Sequence, residues 1–280
     1  MTTTESAAVE PADGQPAWPA HRSGDARAAD KPVTAVRFAL SAVRRPSLVD
    51  ALAVGDCARK ALLRYSDGHP VFSGYDAVGQ VMRGAQHDHA WFLPADDDGD
   101  GAIDHLLVYA RGGFDLAALR ALVGLRRLWG YGVPAMSMTL GALGSPDELG
   151  CVRSARSGTH TSQLGTATVW ESLTPFIPPR HIRHRANGVR DAPHQQVARL
   201  LGQHGRPPAR IEPLAPEQAT PPRSRPIAWE HFQRRRLAGG GSRGADVALG
   251  FRLIFEEPVT GPIALGYAAH QGLGQFIAVA

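Results

Sequence analysis

Strand-like and helix-like segments alternate in one fixed order through the first half of the chain, and this order limits the folds available to it. Two of the strands flank the acidic, glycine-containing turn 96–101, so they are expected to pair as a hairpin. Both helices carry apolar side chains at helical spacing, and Pro46 suits the first turn of the earlier one. The β-α-β-β-α-β order is that of the ferredoxin-like fold. The predicted strands are 33–41, 89–94, 103–110 and 134–140, and the predicted helices are 46–65 and 114–129.

The second half of the chain repeats this logic less clearly. Strands are predicted at 167–174, 209–214 and 247–255, a helix at 193–205, and a glycine-rich hairpin at 261–279. We therefore predict an α+β protein with two tandem ferredoxin-like (RRM-like) domains, the second degenerate and ending in the glycine-rich hairpin. The predicted boundaries are 1–32 for a disordered tail, 33–145 for the first domain, 146–166 for a linker and 167–280 for the second domain.

Composition excludes several classes of protein. Of the 280 residues 43% are hydrophobic, which is enough for a sizeable core. The chain contains no apolar run of the length that crosses a bilayer, and its first residues lack the pattern of a secretory signal, so we expect a cytoplasmic protein without a membrane partner. The net charge is +4, and every basic residue except Lys31 and Lys60 is arginine. Arginine suits phosphates and bases, but a GC-rich genome produces the same bias.

Glycines crowd the C-terminal segment around His270. Gly261, Gly266, Gly272 and Gly274 lie within a short span. Glycine lets a backbone approach a ligand closely, and consecutive backbone N–H groups can hold phosphates. Glycines also mark bulges and turns in any β protein, so this segment alone leaves both interpretations open.

Two histidines stand at the start of the predicted strand 89–94. His87 and His89 are two residues apart, and such residues share one face of a strand. They could form a metal pair, an acid–base pair or a pair of surface histidines. A metal needs further ligands, and the chain has no cysteine cluster to supply them, so we expect no metal or other cofactor.

The acidic turn resembles the first half of a calcium-binding loop. Asp96, Asp98, Asp100 and Gly101 have the required spacing, but Leu107 stands where such a loop places its bidentate glutamate. An acidic turn that binds no ion explains the same residues. A calcium-stabilised β-rich protein that does not bind nucleic acid is therefore a separate hypothesis.

Basic residues lie beside aromatic ones in two places, 170–185 and 229–236. Bases stack on aromatic rings while arginines hold phosphates, although solvated basic loops look the same. The candidate RNA-binding residues here are Arg180, His181, Arg183, Arg185, Arg234 and Arg235.

These motifs, taken in order, resemble a known family. Residues 87–110, Gly113-Phe114 and 125–129 are similar to the Cas-five/Cas-six fusion subunit of type I-G (formerly I-U) CRISPR systems. Residues 174–181 match the same family, as do 261–266 and 270–274. The resemblance runs from about Val33 to the C-terminus and covers the Cas-six-like half, which processes repeat RNA.

The resemblance implies two ferredoxin-like domains and metal-independent cleavage of CRISPR precursor RNA into guide RNA. The 2′-hydroxyl attacks the adjacent phosphate and leaves a cyclic phosphate, which requires a base, an acid and cations. His87 and His89 lie where related nucleases place a catalytic histidine, and His270 is a second choice together with His181. Tyr75 stands where the family pattern has a lysine, so Arg83 is expected to supply that charge.

Two functional hypotheses follow from the resemblance. The chain is either an endoribonuclease or a catalytically inactive repeat-RNA-binding subunit of a type I CRISPR effector complex. The expected partners are repeat or guide RNA and other type I-G effector subunits. The Cas-five-like half is expected either on a separate chain or lost by truncation of the gene. Proton transfers are assigned to the first domain, and Gly266, Gly272 and Gly274 to binding and positioning the RNA.

Overall fold

Two five-stranded antiparallel sheets organise the protein. A computed structural model describes residues 31–75, 79–80, 89–150, 163–185, 188–218, 227–236, 244 and 246–279. Both sheets belong to the compact unit Pro32–Ala280. No helix in these ranges is long and apolar enough to cross a bilayer. The predicted tail up to residue 30, most of the predicted linker, Arg83 and His87 lie outside the described residues.

The first sheet has the ferredoxin-like strand order. A 3-10 turn, Leu48–Asp50, precedes the first helix. In chain order the elements are β1 (Ala35–Ser41), α1 (Ala51–Tyr65), α2 (Pro70–Ser73), β2 (Trp91–Ala95), β3 (His105–Tyr109), α3 (Leu116–Gly124), β4 (Arg127–Gly130), β5 (Val133–Gly144) and α4 (Pro146–Leu149). The strands lie in the order β2-β3-β1-β5-β4, with Phe38 of β1 opposite Leu106 of β3. Without β4 this is the order expected of a β-α-β-β-α-β unit, and the prediction for the first half is confirmed.

Helix α3, the second long helix of this unit, is shorter than predicted. We expected it to continue to Trp129, but it ends at Gly124, and β4 then pairs with β5 as a hairpin. Leu128 is buried between the exposed Arg127 and Trp129, which is the alternation of a strand. Leu125 and Leu128, three residues apart, continue the helical spacing of the residues before them, so spacing alone could not distinguish a strand from a helix here.

The second sheet repeats the topology with one helix missing. Its elements are β6 (Thr166–Ser172), α5 (Pro193–Gln203), β9 (Ala209–Pro213), β12 (Phe251–Thr260), β13 (Ile263–Ala264) and β14 (Gln275–Val279); the short strands β7 (Arg183–Arg185), β8 (Gly188–Arg190), β10 (Glu217–Gln218) and β11 (Ile227–Ala228) form two separate pairs. The order is β13-β14-β6-β12-β9. Between β12 and β14, where a second helix belongs, the chain forms only the β13 hairpin strand and a 3-10 turn, Ala269–Gln271. The degenerate second unit is therefore confirmed.

The two halves share apolar packing. One buried cluster contains Leu93 and Leu107 of the first sheet together with Ala264 and Ala269 from the glycine-rich segment. Trp229, the first residue of the 3-10 turn Trp229–His231 in the second half, packs into the core of the first sheet. Because apolar burial stabilises by roughly 25 cal/mol per Å², this packing holds the glycine-rich segment against β2.

Candidate functional site

Two of the predicted histidines meet where the halves join. His89 lies two residues before the first-half strand β2, and His270 lies in the 3-10 turn Ala269–Gln271 of the second half. Their rings are stacked with centroids 3.8 Å apart and planes 14° from parallel. We expected proton transfers to belong to the first domain, with His270 as a second choice, and the structure stacks one histidine from each half.

Helix α1 supports the turn that carries His270. Gly55 lies so close to it that a Cβ atom at this position would be 2.4 Å from the carbonyl oxygen of Gln271. The same atom would be 2.9 Å from the carbonyl oxygen of Phe92. A glycine in mid-helix is unfavourable by itself, so its presence is explained by this close approach.

The glycines after His270 pack against protein rather than facing outward. Gly272 has φ +94° and lies against Pro94, while Gly274 has φ +61° and lies against Leu265. Their N–H groups donate to the carbonyl oxygens of Ala269 and Pro175. The phosphate cradle predicted from these glycines is therefore not formed by these two amides. Gly266, with φ +100°, packs on Phe176 and Ile177 in the same way.

A buried glutamine fixes the turn to β2. The Gln275 side-chain amide donates to the carbonyl oxygens of Gly272 at 2.8 Å and of Pro94 at 3.1 Å. Its backbone N–H donates to the Thr174 hydroxyl at 2.9 Å. This residue was missed from the sequence. The sequence does contain one signal for this role: Gln275 is the polar first residue of the otherwise apolar strand β14. A polar side chain buried there is expected to form hydrogen bonds.

Aromatic and basic side chains surround the histidine pair. The Trp91 ring meets that of His270 edge-on with centroids 5.6 Å apart, and that of His204 with centroids 5.5 Å apart. The Arg111 guanidinium donates to the carbonyl oxygen of His204 at 3.4 Å. The His270 Nδ1 atom lies 3.4 Å from the carbonyl oxygen of Ala90. Trp91, His204 and Arg111 were also missed, because each comes from a different element.

The acidic turn is held together by its own amides and by arginines. The Asp96 carboxylate accepts hydrogen bonds from the backbone N–H groups of Gly99 at 2.8 Å, Asp100 at 3.1 Å and Gly101 at 2.8 Å. Arg45 forms ion pairs with Asp98 and Asp100. Three carboxylates here lie close enough to hold a cation, as do Asp97, Asp104 and His105. Their engagement with arginine and backbone makes them typical of a structural turn.

Burial also makes the Asp96 carboxyl a weak acid. Desolvation raises its pKa to about 7, and the hydrogen bond that the protonated carboxyl donates to Asp98 contributes in the same direction. The neighbouring Asp97 is buried beside Arg37, with which it forms an ion pair, and desolvation raises the pKa of Asp97.

The remaining predicted RNA-binding residues are spread over the second half. His181 is exposed, and the backbone of Arg180 is bound by the Gln196 side chain on α5. Arg183 and Arg185 are the end residues of β7. The Arg234 and Arg235 guanidinium groups both form ion pairs with Asp246, which offsets part of their charge. These residues lie on segments of the chain other than those that carry His89 and His270.

Comparison with protein-family models and with curated proteins gives no match. Among solved structures, the chain is similar to "An RAMP protein binding different RNA substrates", with TM-score 0.42, 13% identity and coverage of 89% of this chain and 100% of that chain. It is similar to "CRISPR associated protein Cas6", with TM-score 0.43, 6% identity and coverage of 89% and 99%. It is also similar to a Cas6-related protein from Pyrococcus furiosus, with TM-score 0.41, 8% identity and coverage of 88% and 98%. No residue role follows from identities this low.

Proposed function

We propose that the chain binds CRISPR repeat RNA and cleaves it with His89 and His270 as an acid–base pair. The observation that carries this proposal is the stacking of the two imidazole rings across the junction of the halves. The two histidines are 181 positions apart in sequence. Their packing depends on the close approach of Gly55 to the His270 turn and on the hydrogen bonds that join Gln275 to β2 and to that turn. Such precise placement is what acid–base chemistry requires.

The proposed reaction is an internal transfer of the phosphodiester. One neutral imidazole takes the proton of a 2′-hydroxyl, and the oxygen attacks the adjacent phosphorus. The bond from phosphorus to the 5′-oxygen breaks, and that oxygen takes a proton from the other, protonated imidazole. The products are a 2′,3′-cyclic phosphate and a 5′-hydroxyl. Each proton that leaves the substrate is balanced by one that returns, so no further reactant is needed.

The contacts of the two rings support one division of roles. Two positively charged rings with centroids 3.8 Å apart would repel each other, so the pair favours a single shared positive charge. The Ala90 carbonyl oxygen near His270 Nδ1 favours an N–H at that position, which leaves Nε2 of this ring for proton transfer. Within this proposal His270 is the acid and His89 the base.

The RNA is proposed to cross this junction with its backbone near Arg111. That side chain is exposed and lies beside the His204 carbonyl, next to Trp91. The predicted residues Arg180 and His181 extend the binding surface on the second half. The role of the buried glycines in this proposal is to shape the His270 turn.

Cleavage of labelled repeat RNA tests the proposal. His89→Ala and His270→Ala should each reduce the cleavage rate by about 100-fold or more while the Kd for RNA changes little, since one positioned acid or base contributes roughly 10²–10⁴-fold. His194→Ala is the matched control, because His194 is exposed on α5 and should be neutral. His87→Ala is assayed in parallel, because that residue stays a candidate from the sequence alone.

Two substrate arms complete the test. Cleavage should persist in EDTA, and a single 2′-deoxy nucleotide at the cut position should abolish it without loss of binding. RNA binding without any product would favour the alternative of an inactive repeat-RNA-binding subunit. A double variant at His89 and His270 that still cuts at the wild-type rate would overturn the assignment.

The subfamily is a finer part of the same proposal. We propose that the chain serves as the Cas-six-like part of a type I-G effector, with other effector subunits as partners. Co-purification of those subunits with this chain and guide RNA tests it. Recovery of the chain and guide RNA without any effector subunit would contradict it.

A further inference from the structure

A large groove lies on the first half, between α1 and the β4–β5 hairpin. Its volume is about 1500 Å³, and its walls come from one face of α1, from β4 and the turn into β5, and from residues 233 and 236. The floor is apolar and includes Leu52, Ala61 and Cys57. Burial raises the pKa of the Cys57 thiol to about 11, so the thiol stays neutral and the floor carries no charge there.

Three aromatic side chains stand exposed at this groove. Trp129 is 70% exposed, Tyr131 89% and Tyr65 60%, and all three line it. Large aromatic side chains normally bury most of their surface, so three exposed ones around a single groove form an unusual surface. Trp129 and Tyr131 lie on the β4–β5 hairpin, which is an addition to the four strands of the ferredoxin-like unit.

The groove is also strongly basic. Arg64, Arg126, Arg127, Lys60 and Arg236 all contribute to its lining. The one acidic residue of the lining, Asp56, is buried and forms ion pairs with Lys60 at 2.7 Å and Arg236 at 3.2 Å. Subtracting that one carboxylate from the five cations leaves a clear excess of positive charge among the described lining residues.

We propose that this groove binds a single-stranded segment of RNA, with bases stacked on Trp129 and Tyr131 and phosphates held by Arg126 and Arg127. Exposed aromatic faces combined with a basic groove are the general means of holding single strands. The proposal rests on the proposed function, since it supplies that RNA with a second contact outside the histidine site. An acidic peptide fits the charges but makes less use of the aromatic faces.

Helix α1 belongs to both places. Gly55 packs against the turn of His270, while Asp56 and Lys60 of the same helix line the groove. The groove therefore lies on the element that also supports the candidate catalytic pair. The RNA segment bound in the groove is proposed to be the single-stranded flank of the same repeat that the histidine pair cuts.

Binding of a labelled single-stranded oligonucleotide to the full chain tests the inference. Trp129→Leu keeps an apolar side chain but removes the stacking surface, and it should raise the Kd about ten-fold. Arg127→Glu should raise it by a similar factor and reduce the dependence of log Kd on log salt by about 0.7 per lost phosphate contact. Arg120→Glu is the matched control: Arg120 is exposed on α3, outside the groove, and should leave the Kd within two-fold.

The failure of this inference can be told apart from the failure of the proposed function. Trp129→Leu should cleave a repeat hairpin without flanks at the wild-type rate but lose affinity for one with flanks. If the wild-type protein binds and cuts RNA but Trp129→Leu and Arg127→Glu bind flanked RNA as tightly as the wild type does, the groove proposal is wrong while the proposed function stands. Loss of poly-glutamate binding in these variants, with no effect on RNA, would instead assign the groove to an acidic protein partner. Because both side chains are exposed, the melting temperatures should match the wild type and thereby exclude misfolding.

Discussion

Gly55→Ala tests how tightly α1 must approach the His270 turn. Ordinary contact begins at 3.4 Å, and the added Cβ would lie 2.4 Å from the Gln271 carbonyl oxygen, so the turn must retreat by about 1 Å. Overpacking of a buried site costs about 1–3 kcal/mol. Alanine is also the better helix former by about 1 kcal/mol, which offsets part of that cost.

A second glycine provides the matched control. Gly202 lies in α5, and a Cβ atom there would meet nothing within 4 Å. Gly202→Ala therefore gains helix propensity without the clash. We expect the free energies of unfolding of the two variants to differ by about 1–3 kcal/mol, with Gly55→Ala the less stable. Urea denaturation followed by circular dichroism measures this difference.

The same displacement should affect catalysis. Gln271 follows His270 directly, so a retreat of the turn moves the ring away from His89. A misplacement of about 1 Å can cost on the order of 100-fold in rate. Gly55→Ala should therefore cut repeat RNA far more slowly at unchanged affinity. If it is as stable as Gly202→Ala and cuts at the wild-type rate, the close approach of helix and turn does not hold the site together.

Two further predictions concern buried polar groups. Gln275→Leu leaves the carbonyl oxygens of Pro94 and Gly272 without their donor and should lower the free energy of unfolding by about 2–3 kcal/mol, measured in urea; a loss below about 0.5 kcal/mol would contradict the role given to this amide. Burial raises the pKa of Asp96 to about 7 in the folded state, against about 3.9 in the unfolded chain. The folded state therefore binds more protons between these two pKa values, so the free energy of unfolding should fall as the pH rises from about 4 to about 7. Asp98→Asn removes the neighbouring carboxyl that helps raise that pKa and should flatten this fall in unfolding titrations at several pH values; an unchanged slope would show that Asp98 has no part in it.

The order of elements was predictable because it depends on local spacing. The hairpin around the acidic turn and the first helix are evident from apolar patterns that no distant contact alters. The β4 strand was not predictable, because Leu125 and Leu128 continue the helical spacing of the residues before them, and the four-residue strand has one buried side chain, Leu128, which is too few to show an alternation. The missing helix after β12 was indicated by the glycines there.

The candidate site was only partly predictable. His89 and His270 could be singled out as candidates by their neighbours in sequence, but their stacking depends on how the two halves pack. The reason for Gly55 is the carbonyl group of a residue more than 200 positions away, which no local pattern contains. Of the exposed aromatics of the groove, Tyr65 and Trp129 were expected at the ends of two helices and Tyr131 in no helix or strand, so nothing in the spacing brought them together.

The division of the proposed acid–base pair between two halves has a kinetic consequence. The local concentration of one imidazole near the other is set by the docking of the halves, so cleavage should report how often they are docked. A chain broken between Leu149 and Gln163 would turn that intramolecular encounter into a bimolecular one. Its activity would then fall with dilution and recover when either fragment is supplied in excess, whereas the intact chain would show no such dependence.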